Sequence, residues 1–312
     1  MATLAPQFIP IFVIIFGLII GSFLTVCIFR LPFASLAEEQ KLAEEAKAAD
    51  PDQKVTYFDD LGPPLPQVPH ENLSLNSPPR SFCPSCFKTL RWWHNVPLFS
   101  WLLLRGRCNY CSAPISARYP VIELTSALFA ILTLATYGLT STGVIVYLFC
   151  CALIVITVID YDYYIIPNVI SLPGTVFGLV IAAVNHFFNL FSYPIVSGMA
   201  ESLIGIAAGA GFLLIVSEFY LRIRKIEGLG MGDVKLLAMT GALFGPECSL
   251  YTIFVGSILG AVIGVALMLL GGRKMSHPLP FGPYLALATV IYLFGGPDIV
   301  LRTVSYISLG AR

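Results

Sequence analysis

The chain contains 312 residues, of which 57% are hydrophobic and 12% are charged, and its mean hydropathy is +0.82. This composition is far from the profile of soluble globular proteins and excludes that class, which leaves a polytopic membrane protein. The formal net charge is zero, and no nucleic-acid partner is expected.

The first predicted helix extends from the N-terminus to Phe29, a stretch without a charged residue. A cleaved signal peptide is the alternative, but the run lacks a basic start and is too long for the apolar core of one. A bilayer span needs about 20 mostly apolar residues. We therefore expect a retained first membrane helix.

Seven further helices are predicted downstream. Residues 120–159 carry a single charge, Glu123, and are long enough for two helices with a turn near residues 137–143. The sixth of the eight runs is short, so the sequence leaves open whether it crosses the bilayer or re-enters it. The last five runs cover residues 166–188, 195–221, 234–244, 250–270 and 284–300.

Lysine and arginine residues are distributed unevenly between the predicted connections. Ten of the eighteen lie between Arg30 and Arg118, four lie in residues 222–235 and two in residues 273–274, whereas the opposite connections carry none. Cytoplasmic loops carry an excess of basic residues. If the chain has eight membrane helices, the basic segments and the loop after Asp160 all lie on the same side of the membrane. This predicts that the loop after Asp160 faces the cytoplasm and that the N-terminus lies outside.

The polar segment between the first two helices divides by composition. Its first half, residues 34–79, holds an acidic, alanine-rich helical stretch that includes Glu38 and Glu45, followed by a proline-rich tract. Such a tract favours extended and weakly packed chain. A solvated linker is therefore preferred over a specific docking site.

The second half of this segment contains two Cys-x-x-Cys motifs, Cys83 with Cys86 and Cys108 with Cys111, separated by 21 residues. Each short turn brings two sulfurs onto one side of an ion, so the spacing predicts a four-thiolate Zn²⁺ site. Disulfides or redox pairs are the alternative, but the expected cytoplasmic location disfavours stable disulfides. Four thiolates leave no open position for water, which indicates a structural ion.

Two acidic motifs stand at the ends of apolar runs. Asp160 and Asp162 close the third run, and Asp233 follows two glycines, Gly230 and Gly232, at the start of the sixth. A carboxylate at membrane depth is costly and marks a candidate functional site, although an Asp at a helix start can also be only a cap. Asp160 and Asp162 would point to different faces of a helix, so only one could enter a shared site. The glycines would let the backbone before Asp233 pack closely.

Residues 159–168 and 230–237 resemble the two signature motifs of the type IV prepilin peptidases. The likeness extends through much of the chain and includes Gly21-Ser22-Phe23-Leu24, Arg30-Leu31-Pro32, the four cysteines, Asn95-Val96-Pro97, Arg118-Tyr119-Pro120 with Glu123, and Pro280-Phe281-Gly282-Pro283-Tyr284. Two positions depart from the family pattern, since Thr25 stands where Asn is common and Tyr163-Tyr164 replaces the more usual polar pair.

The resemblance implies a bifunctional enzyme of the bacterial inner membrane whose active site faces the cytoplasm. Such enzymes remove the short basic leader from prepilins and pseudopilins and then N-methylate the new N-terminal residue with S-adenosylmethionine. The family's catalytic carboxylates map onto Asp160 and Asp233. The expected supporting residues are Asp162, Gly230, Gly232 and Lys235.

Two carboxylates held close together cannot both ionise, so they share a proton, as in aspartic proteases. If Asp233 begins a helix, the helix dipole favours its ionised form and leaves Asp160 as the holder of the proton. The expected architecture is all-α, with a first helix at residues 1–29, a cytoplasmic zinc-binding insertion at 30–119 and a seven-helix peptidase domain at 120–312.

Three other interpretations are open. A secondary transporter could use Asp160 and Asp233 as coupling sites, but it would be expected to show inverted repeats, and none is seen in the sequence. A non-catalytic assembly platform would tolerate the loss of both aspartates. A presenilin-like protease would share the glycine-aspartate motif but would not need the four cysteines. No glycine-rich nucleotide loop follows a predicted strand, so the sequence does not place the methyl donor.

Overall fold

The computed structural model describes residues 8–49, 73–224, 230–271 and 279–295. Within these ranges the chain contains no strand, only the isolated β-bridges Phe82–Thr89 and Arg107–Pro114. The predicted all-α fold class is therefore confirmed. The helices are α1 (Ile9–Ala49), α2 (Phe99–Leu103), α3 (Arg118–Tyr137), α4 (Ser141–Tyr163), α5 (Asn168–Phe188), α6 (Met199–Ile206), α7 (Phe212–Arg224), α8 (Met231–Gly271) and α9 (Gly282–Gly295).

The predicted membrane helices are present wherever the structure describes them. α8 holds Gly245 at φ +78°, followed by Pro246, and this kink divides it into two arms that correspond to the sixth and seventh predicted runs. The shorter apolar helix α9 corresponds to the eighth. The polytopic membrane assignment is thus confirmed. Six stretches of the described residues are long and apolar enough to cross a bilayer: Ile9–Leu36, Arg118–Tyr137, Ser141–Tyr163, Asn168–Phe188, Met199–Ile223 and Met231–Leu270.

α1 extends well beyond the predicted first helix. It continues past Phe29 and through Pro32 to Ala49, and so includes the acidic, alanine-rich stretch, which is helical as predicted. The prolines from Pro63 to Pro69 lie outside the described residues. The first membrane helix and the start of the polar segment therefore form one continuous element.

The chain divides into two compact units. The N-terminal unit comprises Met1–Leu139 with Tyr147–Tyr164, and the C-terminal unit comprises Thr140–Val146 with Ile165–Arg312, in each case as far as the residues are described. The division into a first helix, an insertion and a seven-helix domain stays a prediction. Asp160 belongs to the N-terminal unit and Asp233 to the C-terminal unit.

Two glycines set the packing of α1 against α3 in the N-terminal unit. A Cβ atom added to Gly17 would lie 2.6 Å from the Ala127 Cα, and one added to Gly21 would lie 2.6 Å from the Glu123 Cα. Small residues at membrane-helix crossings let backbones approach closely. Glycine at these two positions therefore brings the Glu123 backbone directly against α1.

Small and hydroxyl residues join the helices of the C-terminal unit. α6 crosses α8 where Gly205 faces Gly241, and a Cβ on either glycine would collide with the backbone of the other. The Ser202 hydroxyl donates to the Ala242 carbonyl at 2.7 Å, and the Thr252 and Thr289 hydroxyls lie 3.1 Å apart between α8 and α9. Such contacts replace the hydrophobic driving force that is missing between helices in lipid.

Gly17→Ala is expected to destabilise the N-terminal unit by about 1–3 kcal/mol, because the added Cβ would push α1 away from α3. The matched control is Gly211→Ala, where the added Cβ meets only the Ala207 Cβ at 4.0 Å. Thermal unfolding of the detergent-solubilised protein measures the difference. Equal midpoints for the two variants would contradict the close helix contact.

Candidate active site and metal centre

Four charged side chains are buried among the described residues. They are Arg30, Glu123, Asp160 and Asp233, with between 4% and 8% of their surface exposed. A buried charge is costly unless the protein uses it or compensates it. Two of the four belong to the acidic motifs, and the other two lie in the N-terminal unit.

The last turn of α4 places the carboxylates of Asp160 and Asp162 in different surroundings. Asp160 is 5% exposed, whereas Asp162 accepts two hydrogen bonds from the Arg118 guanidinium, at 2.8 and 2.7 Å. The Arg118 side chain is 57% exposed, so this ion pair lies at the surface. Tyr164, the residue directly after α4, has φ +58°, and its N–H donates to the Asp160 carbonyl at 2.9 Å. One carboxylate is therefore buried, and the other holds an ion pair at the surface.

Asp233 lies in the first turn of α8 and is also buried. Its N–H donates to the Gly230 carbonyl at 3.1 Å, and a Cβ added to Gly230 would lie 3.5 Å from the Asp233 Oδ2. The backbone of Gly230 thus lies beside the carboxylate, at a distance where an added Cβ would make an ordinary van der Waals contact. The start of α8 also places Asp233 at the positive end of the helix dipole.

Two contacts inside the C-terminal unit join the segments that carry the motifs. A Cβ on Gly232 would lie 3.0 Å from the Ile166 Cβ, so the glycine motif packs directly on the segment that follows Asp160. The Lys235 ammonium donates to the Asn168 Oδ1 at 2.6 Å. Gly232 and Lys235 therefore connect the start of α8 to the start of α5. The pairing of the Asp160 and Asp233 carboxylates themselves stays a prediction.

The four predicted metal ligands cluster in the N-terminal unit. Their sulfurs all lie within 4.8 Å of one another, and the Sγ atoms of Cys83 and Cys111 are 3.8 Å apart. A tetrahedral ion with Zn–S bonds of about 2.3 Å requires sulfur separations of about 3.8 Å. None of the four is in a disulfide. The donor set and its spacing fit Zn²⁺.

The two cysteine motifs form turns of the same shape. The Cys83 N–H donates to the Lys88 carbonyl at 3.1 Å, and the Cys108 N–H donates to the Ala113 carbonyl at 2.8 Å. Each turn contains a residue with positive φ, Phe87 at 58° and Ser112 at 60°. Turns of this shape point both cysteines of a motif toward one ion.

One of the four thiols is already close to ionisation. Burial raises the pKa of Cys108, but hydrogen bonds from the N–H groups of Tyr110 and Cys111 and from neighbouring thiols outweigh it and lower the pKa to about 7. A metal binds the thiolate form of cysteine. This turn therefore prepares a ligand for a cation at neutral pH.

The segment that carries the cysteines has little apolar core of its own. Among residues 73–117, the buried side chains are Leu73, Cys83, Ser100 and Cys108. A segment of this size normally needs a metal or disulfides when it cannot bury enough apolar surface. The cluster thus has the position and the surroundings of a structural metal centre.

The sequence predicts no role for Arg30 or Glu123, although both lie in motifs of the family pattern. The Glu123 Oε2 accepts the Leu98 N–H at 2.8 Å. The Arg30 guanidinium donates to the carbonyls of Ser74, Leu75 and Arg80 at 3.0, 2.9 and 3.2 Å. Glu123 could have been identified from the sequence, because it is the single charged residue in a long apolar run.

Thr25 is the position that departs from the family pattern. Its hydroxyl donates to the Ser22 carbonyl at 2.7 Å.

Comparison with known proteins identifies similarity along nearly the whole chain. The family model described as Bacterial Peptidase A24 N-terminal domain matches residues 15–137, and the model described as Type IV leader peptidase family matches residues 147–265. No solved structure matches the chain.

Curated relatives cover more than nine tenths of the chain at moderate identity. A protein of Burkholderia pseudomallei named prepilin leader peptidase/N-methyltransferase is 36% identical over 93% of this chain and 86% of its own length. Proteins of the same name from Pseudomonas aeruginosa and Aeromonas hydrophila are also 36% identical, over 93% and 92% of this chain and 91% of each relative.

Proposed function

Because the chain belongs to the type IV leader peptidase family, we propose that it is a membrane aspartic endopeptidase that removes the basic leader of prepilins and pseudopilins. We further propose that it N-methylates the new N-terminal residue. The observation that carries the proposal is the burial of Asp160 and Asp233 in the two family motifs, whose flanking segments contact each other through Gly232 and Ile166.

The two aspartates divide the chemistry of peptide hydrolysis between them. The ionised carboxylate removes a proton from water as the water oxygen attacks the scissile carbonyl, and the protonated carboxylate donates a hydrogen bond to that carbonyl oxygen. Because Asp233 lies at the positive end of the α8 dipole, we assign the ionised role to Asp233 and the shared proton to Asp160. Proton transfer to the amide nitrogen then releases the leader.

The predicted topology matches the chemistry of the substrate. A prepilin presents a basic leader just ahead of an apolar helix, so the bond to be cleaved lies at the cytoplasmic surface of the inner membrane. The basic segments of this chain predict that the loop after Asp160 and the start of α8 face the same side. We therefore propose an active site that opens toward the cytoplasm.

We also propose a structural metal ion and a methyl donor. Cys83, Cys86, Cys108 and Cys111 would hold Zn²⁺ as a structural ion, since four thiolates leave no open coordination position. S-adenosylmethionine would supply the methyl group for transfer to the new amino terminus. The zinc centre stabilises the segment of residues 73–117 and takes no part in the hydrolysis.

The proposed function is tested by incubating the purified, detergent-solubilised chain with a prepilin, with and without S-adenosylmethionine, and measuring product masses. We expect loss of the leader in both samples and the added mass of a methyl group only when the methyl donor is present. An unchanged prepilin, with the chain shown to be folded, would favour a transporter or an assembly platform instead.

Lys235→Met is expected to lower the rate of leader cleavage by about tenfold, because it removes the charged hydrogen bond to Asn168 that fixes the start of α8. Asn168→Ala should have a similar effect. The double variant should lose no more than either single variant, which corresponds to a coupling energy of about 1–2 kcal/mol. Strictly additive losses would show that the two residues act independently.

A further inference from the structure

The cysteine segment, residues 73–117, exposes an apolar face on the short helix α2. Phe99, Leu102 and Leu103 form this face, and each is between 63% and 81% exposed. The two leucines lie three and four positions after Phe99, so the three side chains share one side of the helix. Large apolar side chains gathered on an exposed surface mark an interaction site.

Hydrogen bonds fix the opposite side of α2 to the rest of the segment. Ser100 is buried, and its hydroxyl donates to the Trp93 carbonyl at 2.7 Å. The indole N–H of Trp101 donates to the Ile115 carbonyl at 3.1 Å. These two bonds turn Ser100 and Trp101 toward the segment and leave the apolar face of α2 outward.

A further hydrogen bond sets the level of α2 along the membrane helices of the N-terminal unit. The N–H of Leu98, the residue directly before α2, donates to the Glu123 Oε2 at 2.8 Å. Glu123 lies in the second turn of α3, about 7.5 Å along the axis from Arg118, where the candidate membrane span begins. The helix α2 therefore lies level with the first turns of a membrane helix, at the boundary between lipid headgroups and acyl chains.

The charges of the cysteine segment are all of one sign. The segment contains five Lys and Arg residues and no Asp or Glu, and all five are exposed. Arg105 and Arg107 lie just after α2, and the Arg105 N–H donates to the Leu102 carbonyl at 3.0 Å, which keeps this arginine beside the apolar face. The other three are Arg80, Lys88 and Arg91. The surface around α2 is thus complementary to an anionic partner.

We propose that the apolar face of α2, together with Arg105 and Arg107, is an interfacial anchor that binds anionic phospholipid of the bilayer that the chain spans. Apolar side chains with basic residues beside them lie in the plane of the membrane interface, and each basic residue there is attracted to anionic lipid. The face of α2 enters the acyl-chain boundary, and the two arginines contact lipid phosphates. An acidic protein would match the charge of the segment but not the level of α2 at the membrane. The anchor does not depend on the proposed peptidase function.

The test uses tryptophan fluorescence, because all three tryptophans of the chain lie in the cysteine segment: Trp92, Trp93 and Trp101. The full-length protein is placed in nanodiscs of phosphatidylcholine and phosphatidylglycerol in equal parts. Bromine, which quenches tryptophan on contact, is carried on the acyl chains of one lipid and then of the other. We expect both lipids to quench, with an association constant at least about threefold higher for the anionic lipid, and high salt should reduce this preference.

Two variants separate the apolar contact from the charge. Leu103→Asp should at least halve the quenching by either lipid, because it places a carboxylate in the apolar face. Asn76→Asp adds the same charge at another exposed position of the segment and should keep the wild-type quenching. Arg105→Gln combined with Arg107→Gln should keep quenching by the neutral lipid but at least halve the preference for the anionic lipid.

The control for the arginine variant is Arg222→Gln, which removes an exposed arginine outside the cysteine segment and should leave the lipid preference unchanged. Zinc content, measured on the same samples, shows whether the segment of each variant is folded. The comparison of the two brominated lipids on the wild-type chain depends on no variant. It therefore decides the question if a variant does not fold.

Three results would overturn the inference. Equal quenching by the two lipids at low salt would show apolar contact without binding of the anionic headgroup. Equal quenching in Leu103→Asp and Asn76→Asp would show that the lipid contact lies elsewhere in the segment. Tryptophans that neither lipid quenches would place the face of α2 away from the bilayer. An emission that then shifts with polyglutamate, or with the number of chains in each nanodisc, would indicate an acidic protein or a second copy as the occupant.

Discussion

Asp160→Asn and Asp233→Asn are each expected to lower the rate of leader cleavage by about 10⁴-fold at unchanged protein abundance. Asn has nearly the shape of Asp but can neither ionise nor hold the shared proton, so either change removes one of the two required roles. Both carboxylates are buried, with 5% and 8% exposed. Single-turnover cleavage of a purified prepilin measures the effect.

Asp162→Asn provides the matched control for these two variants, because it makes the same substitution two residues from Asp160. Its carboxylate pairs with Arg118 at the surface, and such pairs contribute little free energy. We expect a loss of less than about fivefold. Substantial cleavage by either Asp160→Asn or Asp233→Asn would contradict their joint role.

Cys108→Ser is expected to abolish stoichiometric Zn²⁺ binding and to unfold the cysteine segment, residues 73–117. Serine replaces a thiol whose pKa already lies near 7 with a hydroxyl that does not ionise at neutral pH. Structural zinc contributes about 10–16 kcal/mol of binding free energy in small domains, and this segment has few buried side chains to replace it. Elemental analysis and limited proteolysis measure the two effects.

Cys248→Ser is the control for the metal centre. Cys248 is fully buried in α8, outside the cysteine cluster, and its Sγ lies 4.0 Å from the Thr252 hydroxyl. This variant should keep one zinc ion per chain and a protease-resistant cysteine segment. A Cys108→Ser protein with full zinc content and wild-type resistance would show that the four sulfurs do not hold the ion.

The helices were predictable because each apolar run is a local property of the sequence. The turn between α3 and α4 follows from Gly138, which takes φ +67° in the structure, and the helical acidic stretch follows from its composition. The continuation of α1 through Pro32 was not predictable. A proline ends some helices and is tolerated in others, and tertiary packing decides between these outcomes.

The site was predictable only in its residue types. The four cysteines and the two aspartates stand out because thiol pairs and membrane-embedded carboxylates are rare without a role. Their partners are distant in sequence: Arg118 lies 44 residues from Asp162, and Asn168 lies 67 residues from Lys235. Helix packing alone creates such contacts.

The pH dependence of wild-type leader cleavage tests the aspartate pair most directly. A pair that shares one proton requires one ionised and one protonated carboxylate, so the profile of the rate against pH should be bell-shaped with two apparent pKa values. Activity should fall at low pH as the second proton binds and at high pH as the shared proton leaves. A rate that rises with pH and then stays constant through neutral and alkaline pH would contradict the shared-proton pair.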